Sequence, residues 1–279
     1  MLPTLALFLA QLASPTMEVP VEPLPVPTPT GQPATVPAPQ PPVSQEQAEL
    51  DACLEVVRED PTSAIAGASR WAGEVDGAAL AYPLQCLGVA YTRLNRWQAA
   101  ADAFTEARDV TTGSPLRRAL YGGMAGTARL QAGDGAAALP ILTTAEADAR
   151  SGGDIAFAGS LAVDVARAHA ALGDDGAAAT ALERARRDAP QALESWLASA
   201  AFARASGDLA SAQGYIETAG AIDPRSADVG LEAGVIAALA GRDDAARRSF
   251  ESVRTVAPGS PQAELAADYL AQLNEGATP

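Results

Sequence analysis

From Gln45 onward, apolar residues recur at the three- to four-residue spacing that is typical of an amphipathic helix. The pattern predicts six helix pairs and one last helix. Their ranges are 45–58 and 61–74, 80–94 and 97–110, 116–131 and 135–149, 155–172 and 175–188, 191–206 and 209–222, 227–240 and 243–256, and finally 261–274. The periodicity therefore predicts an all-α chain that begins behind a different N-terminal region.

The helical region repeats itself, with 34 residues between Pro190, Pro224 and Pro258. Small and large apolar residues recur in phase with these prolines. The matching sets are Gly173, Gly207 and Gly241, then Ala178, Ala212 and Ala246, then Leu182, Ile216 and Phe250. A fixed period of this length is typical of stacked repeats, in which each unit contacts only its neighbours. The sequence therefore predicts an array and not a single central core.

The predicted helices are separated by residues that end one helix and begin the next. Gly173 suits the left-handed end of a helix, and Asp174 is suited to cap the amides of the following one. Asn95 takes the glycine position in an earlier pair, because Asn tolerates the left-handed conformation. Ser114 followed by Pro115 is a cap followed by proline at the first helical position. These residues are predicted to be structural.

The stretch Leu87-Gly88-x-x-Tyr91, followed by Ala100, Phe104 and Ala107, resembles the tetratricopeptide-repeat pattern. Five successive units agree in register, so the resemblance covers about residues 45–274. It implies a right-handed α-solenoid of about six helix pairs over a domain of residues 44–276. Helix 261–274 is expected to cap the end of the array with a polar outer face formed by Glu264, Asp268 and Gln272.

The resemblance implies a protein-binding function, because the first helix of each pair lines a concave face in such arrays. This inferred wall is apolar with a few arginines, which suits an amphipathic helix or an extended peptide. The Lys and Asn residues with which some relatives hold a peptide carboxylate are absent. The predicted groove residues are Tyr82, Gln85, Val89, Arg93, Thr127, Val163, Arg167, Leu197 and Arg204.

The formal charge of −15 argues against binding to nucleic acid or to an anionic membrane surface, both of which need clustered cations. His169 is the only histidine, and no Ser/His/Asp or Cys/His catalytic set can be built without it. We therefore expect a non-catalytic adaptor that binds a protein or peptide and uses no cofactor, metal or small-molecule substrate. A self-associating structural protein of the cell envelope, a homo-oligomer, is the alternative.

The N-terminal region divides into two segments. Residues 1–14 carry a short apolar run followed by small residues, which is typical of a signal peptide, although Lys and Arg are absent before the run. A disordered or misassigned N-terminus is the alternative. Residues 15–43 contain 11 prolines and are predicted to form a disordered, extended linker. Together these segments predict a periplasmic or secreted protein of a bacterial cell envelope.

Cys53 and Cys86 are the only cysteines, and they fall on the first helices of two neighbouring predicted units. In an exported protein they are expected to form a disulfide, which would stabilise the atypical first unit. Two buried thiols are the alternative. Their wide spacing and the absence of a nearby His do not fit a zinc site.

Overall fold

The computed structural model describes residues 44–275. Thirteen α-helices and one short 3-10 helix, Gly77–Leu80, occupy this range, and no strand occurs within it. The α-helices are α1 Gln45–Glu59, α2 Pro61–Ala72, α3 Ala81–Arg93, α4 Trp97–Val110, α5 Pro115–Gln131, α6 Gly135–Ser151, α7 Ile155–Ala171, α8 Asp175–Asp188, α9 Leu193–Ala205, α10 Leu209–Ile222, α11 Ala227–Leu239, α12 Asp243–Val256 and α13 Pro261–Glu275. The predicted signal-like segment 1–14 and linker 15–43 lie outside the described residues.

The chain forms a right-handed α-solenoid, as the sequence predicts. Each helix contacts the next along the chain, and the odd-numbered helices also contact each other, as α5 contacts α7 and α7 contacts α9. Short turns make consecutive helices antiparallel, so the odd-numbered helices run parallel to one another. These odd-numbered helices are the first members of the pairs, and they line the concave face of such a stack.

The predicted end signals form the expected hydrogen bonds. Asp174 accepts a bond from the amide of Ala177, and Ser114 accepts one from the amide of Arg117. Gly173 has a φ of 75° and Asn95 a φ of 55°, so both lie in the left-handed region. The helix boundaries therefore follow from local chemistry, and they match the predicted ranges within about two residues.

Within each pair, a small residue on the first helix lets a large side chain of the second helix approach its backbone. Gly88 lies under Phe104 and Gly234 under Phe250, with both phenylalanines buried. Two further pairs use alanine against a smaller partner, Ala166 with Leu182 and Ala200 with Ile216. A glycine accompanies the larger phenylalanine and an alanine accompanies the smaller leucine or isoleucine, so the two helices of each of these pairs remain closely packed.

The first unit is tied to the second by a disulfide. It joins Cys53 of α1 to Cys86 of α3, whose Cα atoms are 6.2 Å apart. At the other end, α13 packs on α11 and α12. Its outer face exposes Glu264, Asp268 and Gln272, as expected of a capping helix.

Candidate protein-binding groove

The predicted groove residues all lie on the odd-numbered helices α3, α5, α7 and α9. Side-chain hydrogen bonds join these helices to one another across the concave face. These bonds connect each odd-numbered helix to the next one from α3 to α13, and one further bond, from Arg167 to Asp164, lies within α7. We call this series the concave ladder, and its members are Tyr82, Gln85, Arg117, Tyr121, Thr127, Asp164, Arg167, Glu194, Arg204, Asp228, Glu232 and Gln262.

Between α3 and α5, the ladder consists of two tyrosines and their partners. Arg117 Nη1 donates to Tyr82 Oη at 3.0 Å, and its guanidinium lies 5.0 Å from the centre of the Tyr82 ring. Tyr121 Oη donates to Gln85 Oε1 at 3.0 Å. Burial raises the pKa of the Tyr121 hydroxyl above its ordinary value, so Tyr121 remains a hydrogen-bond donor.

The centre of the ladder is a charged group on α5, α7 and α9. Thr127 Oγ1 donates to Asp164 Oδ2 at 3.1 Å, and Arg167 donates to Asp164 Oδ1 at 2.7 Å. The second amino group of Arg167 donates to Glu194 Oε1 at 2.8 Å. One guanidinium thus joins two carboxylates on neighbouring repeats, in the planar, forked geometry that favours Arg over Lys.

Burial and charge act in opposite directions on this central group. Burial raises the pKa of the Asp164 carboxyl above its ordinary value, although Arg167 lowers it. Burial also lowers the pKa of Arg167, but Asp164 and Glu194 outweigh this effect and the net shift is upward. The Arg167 side chain is 41 % exposed. The Arg167 guanidinium therefore keeps access to water while it pairs with both carboxylates.

The C-terminal half of the ladder contains the most buried ion pair on this face. Arg204 Nε on α9 donates to Glu232 Oε1 on α11 at 2.6 Å, and both side chains are largely buried. On α13, Gln262 donates to Asp228 of α11 at 2.8 Å. These bonds fix α9, α11 and α13 relative to one another.

The ladder corrects the expectation of an apolar wall with a few unexplained arginines. Arg167 and Arg204 bind carboxylates of the next repeat, so they support the array itself. Val163 is a second correction, because it has no exposed surface and cannot contact a ligand in this structure. It packs with Ala162, Ala185 and Ala198, whose small side chains bring α7, α8 and α9 close together.

The remaining predicted groove residues have accessible surface. Arg93 is exposed at the end of α3 and has no ion-pair or hydrogen-bond partner among residues 44–275. Val89 and Leu197 are half-buried. Leu120 and Leu239, on α5 and α11, are exposed apolar residues. The face therefore combines apolar side chains with charged groups that keep part of their surface.

The sequence pattern did not single out the carboxylates of the ladder. Glu194 lies 27 residues after Arg167, and Glu232 lies 28 residues after Arg204. This separation is shorter than the 34-residue period, because the Arg lies near the end of its helix and its long side chain reaches a Glu near the start or middle of the next odd-numbered helix. An Arg followed by Glu at this recurring separation was the available signal.

The described residues contain no group of three or more His, Cys, Asp or Glu side chains that could hold a metal ion. His169 lies at the end of α7, with its Nδ1 atom 3.6 Å from Asp174 Oδ2, next to the cap of α8. None of the helices within 44–275 combines the length and the apolar character needed to cross a membrane.

No protein-family profile and no curated protein matches this chain. Several solved structures are similar to it. PilW, a type IV pilus biogenesis factor, has a TM-score of 0.63 and 19% identity, covering 81% of this chain and 100% of PilW. PilF of Pseudomonas aeruginosa has a TM-score of 0.59 and 16% identity, covering 81% and 97%. A thermophilic TPR protein of Thermus thermophilus has a TM-score of 0.54 and 20% identity, covering 68% and 99%.

Proposed function

We propose that this chain, which has the tetratricopeptide-repeat fold, is a non-catalytic scaffold that binds a segment of a partner protein on its concave face. One observation carries the proposal. The odd-numbered helices present accessible apolar side chains, Leu120, Leu197 and Leu239, beside charged groups that are partly exposed. Such a surface suits an amphipathic helix or an extended peptide, whose apolar residues are buried while its polar groups are paired.

The chemistry of the concave face defines the kind of segment that fits. Glu194 is 50 % exposed although it binds Arg167, so it can accept a further hydrogen bond. Arg93 is exposed and has no partner within the described range. We infer a partner segment that carries both signs of charge around a core of apolar residues. A purely basic or purely acidic ligand matches this face less well.

We further propose that the protein acts outside the cytoplasm of a bacterial cell. Three features support this location: the signal-like pattern of residues 1–14, the proline-rich linker 15–43, and the disulfide between Cys53 and Cys86. Disulfides persist mainly in oxidising compartments. PilW, which is described as a type IV pilus biogenesis factor, has the same fold, and this is compatible with a role in assembly at the envelope.

Site-specific photo-crosslinking in the native host tests the proposal. A photo-reactive residue at Leu197 faces the groove, whereas one at Glu217, which is exposed on α10, lies on a second helix of a pair. We expect a discrete adduct with one other protein from Leu197 and none from Glu217. Adducts from Glu217 alone, or from neither position, would refute the proposal that the concave face binds the partner.

A second variant separates binding from folding. Arg167 and Arg204 are poor choices for this purpose, because their loss would disturb the ladder. Leu239→Ser changes an exposed side chain and leaves the ladder intact. It should reduce the adduct from Leu197 while the helical circular dichroism stays unchanged. An adduct with a second copy of this chain would instead assign the face to self-association.

A further inference from the structure

Three exposed apolar side chains lie in the first two turns of α5 and at the start of α7. Six large apolar residues are exposed among residues 44–274, namely Val56, Leu116, Leu120, Ile155, Leu172 and Leu239. Leu116 lies over Gly152, where an added Cβ would be 2.6 Å from Leu116 Cγ. Leu120 follows one helical turn later, and Ile155 is the first residue of α7. We call Leu116, Leu120 and Ile155 the edge patch.

The edge patch lies on the side of the array from which the N-terminal segment leaves. Tyr82 and Gln85 of α3 pair with Arg117 and Tyr121 of α5 in the same order, so these helices run parallel. The starts of α1, α3, α5 and α7 therefore lie along one edge. Ser44, the cap of α1, stands on that edge. The chain upstream of Ser44 begins on the same edge as the patch.

The upstream segment is long enough to reach the patch. Neighbouring packed helices lie about 8–10 Å apart, so α5 and α7 begin roughly 20–30 Å from α1. An extended proline-rich chain spans about 3.1 Å per residue, so residues 28–43 cover about 50 Å. A tether of this length holds the attached segment at roughly millimolar effective concentration, which suffices for weak docking.

The sequence of residues 19–27, Val-Pro-Val-Glu-Pro-Leu-Pro-Val-Pro, matches the chemistry beside the patch. Proline-rich segments dock on aromatic and apolar surfaces because they lose little entropy on binding. Tyr82 supplies an aromatic ring that contacts Arg117, the residue after Leu116. Arg117 lies against that ring and has no carboxylate partner among the described residues, so it can pair with Glu22.

We propose that residues 19–27 of this chain dock on the edge patch, with Val and Leu side chains on Leu116, Leu120 and Ile155 and with Glu22 near Arg117. The proposal goes beyond the adaptor function, since it concerns an interaction within one chain and holds with or without a partner.

Crosslinking within the full chain tests this contact. A photo-reactive residue at Leu24 leaves the patch unaltered, and mass spectrometry identifies where it attaches. A mixture of isotope-labelled and unlabelled chains distinguishes attachment within one chain from attachment between copies. We expect attachment within the chain, at residues 116–120 or 155–157. No attachment, attachment elsewhere, or attachment between copies would overturn the proposal.

A matched pair of variants tests the role of the leucines. Leu120 is 40 % exposed on α5 and Leu239 is 39 % exposed at the far end of α11, so both can be replaced without opening a core. Leu120→Ser should lower the yield from Leu24 about tenfold, because one well-buried leucine suffices for such a change. Leu239→Ser should leave it unchanged. Equal yields from both variants would overturn the assignment.

Discussion

Gly234→Ala tests whether close approach within a helix pair determines the stability of the array. Gly234 of α11 lies under the ring of Phe250 of α12, and an added Cβ would be 2.6 Å from Phe250 Cδ1. Carbon atoms in favourable contact are about 3.5–4.0 Å apart, so the ring would have to move by about 1 Å. Phe250 is only 1 % exposed, so there is little room for this movement.

The expected magnitude combines two opposing effects. Overpacking a core costs about 1–3 kcal/mol. Replacing Gly by Ala inside a helix gains about 0.5–1 kcal/mol. Because the ring is enclosed, the first effect should prevail, with a net loss of about 1–2 kcal/mol in the free energy of unfolding. Gly214→Ala is the matched control, since Gly214 is exposed in α10 and has no atom within 4 Å of an added Cβ.

Urea unfolding followed by far-ultraviolet circular dichroism measures both variants, and hydrogen exchange locates the effect in α11 and α12. Gly214→Ala should be slightly more stable than the unmodified chain. Adding Phe250→Leu to Gly234→Ala should restore part of the loss, because Ala166 pairs with Leu182 in an earlier unit. The reasoning fails if Gly234→Ala is as stable as Gly214→Ala, or if the two changes at α11 and α12 are simply additive.

Three further predictions concern ion pairs and the disulfide. Arg204→Met should lower the free energy of unfolding by about 3 kcal/mol, because it leaves Glu232 buried without its partner; Glu232→Met added to it should recover part of this loss in a double-mutant cycle. Reducing the disulfide between α1 and α3 should cost about 3–4 kcal/mol, measured as a lower urea midpoint for the first two units. Hydrogen bonds from Arg187 and Arg150 hold the pKa of Asp188 below its ordinary value. The stability that these bonds contribute to the folded protein is therefore present above about pH 4, and it is lost as the pH falls through the lower pKa that Asp188 has in the folded state. Asp188→Asn should therefore lower the free energy of unfolding at pH 7. In acid, the unfolding curves of this variant and of the unmodified chain should converge.

The helix pairs could be predicted from the sequence because their boundaries depend on neighbouring residues. A cap such as Asp174 acts on an amide three residues away, and Pro115, which follows the cap Ser114, has the backbone angle that suits the first turn of a helix. The 3-10 helix Gly77–Leu80 was not predicted. It carries no side-chain cap, and it packs against α3 and α4, so its conformation depends on contacts between elements.

The groove was harder to predict, because a position in a repeat does not fix how deeply its side chain lies. Val163 occupies a position that was expected to face the groove, yet three neighbouring alanines bury it. Arg167 was predicted to be a ligand-binding residue of the groove, yet it binds two carboxylates of the array. Both outcomes depend on the distance and offset between neighbouring helices, which a single repeat unit does not contain.

The ladder also limits how a partner can be bound. Arg167 and Arg204 are neutralised within the array, so a ligand gains little from either of them unless it replaces a carboxylate that is already well placed. Arg93 and Leu197 carry no such cost, because only water has to leave their exposed surface when a partner arrives. Binding energy is therefore expected to come mainly from these residues. The charged ladder would then fix the curvature of the face and reject ligands whose charges do not match it.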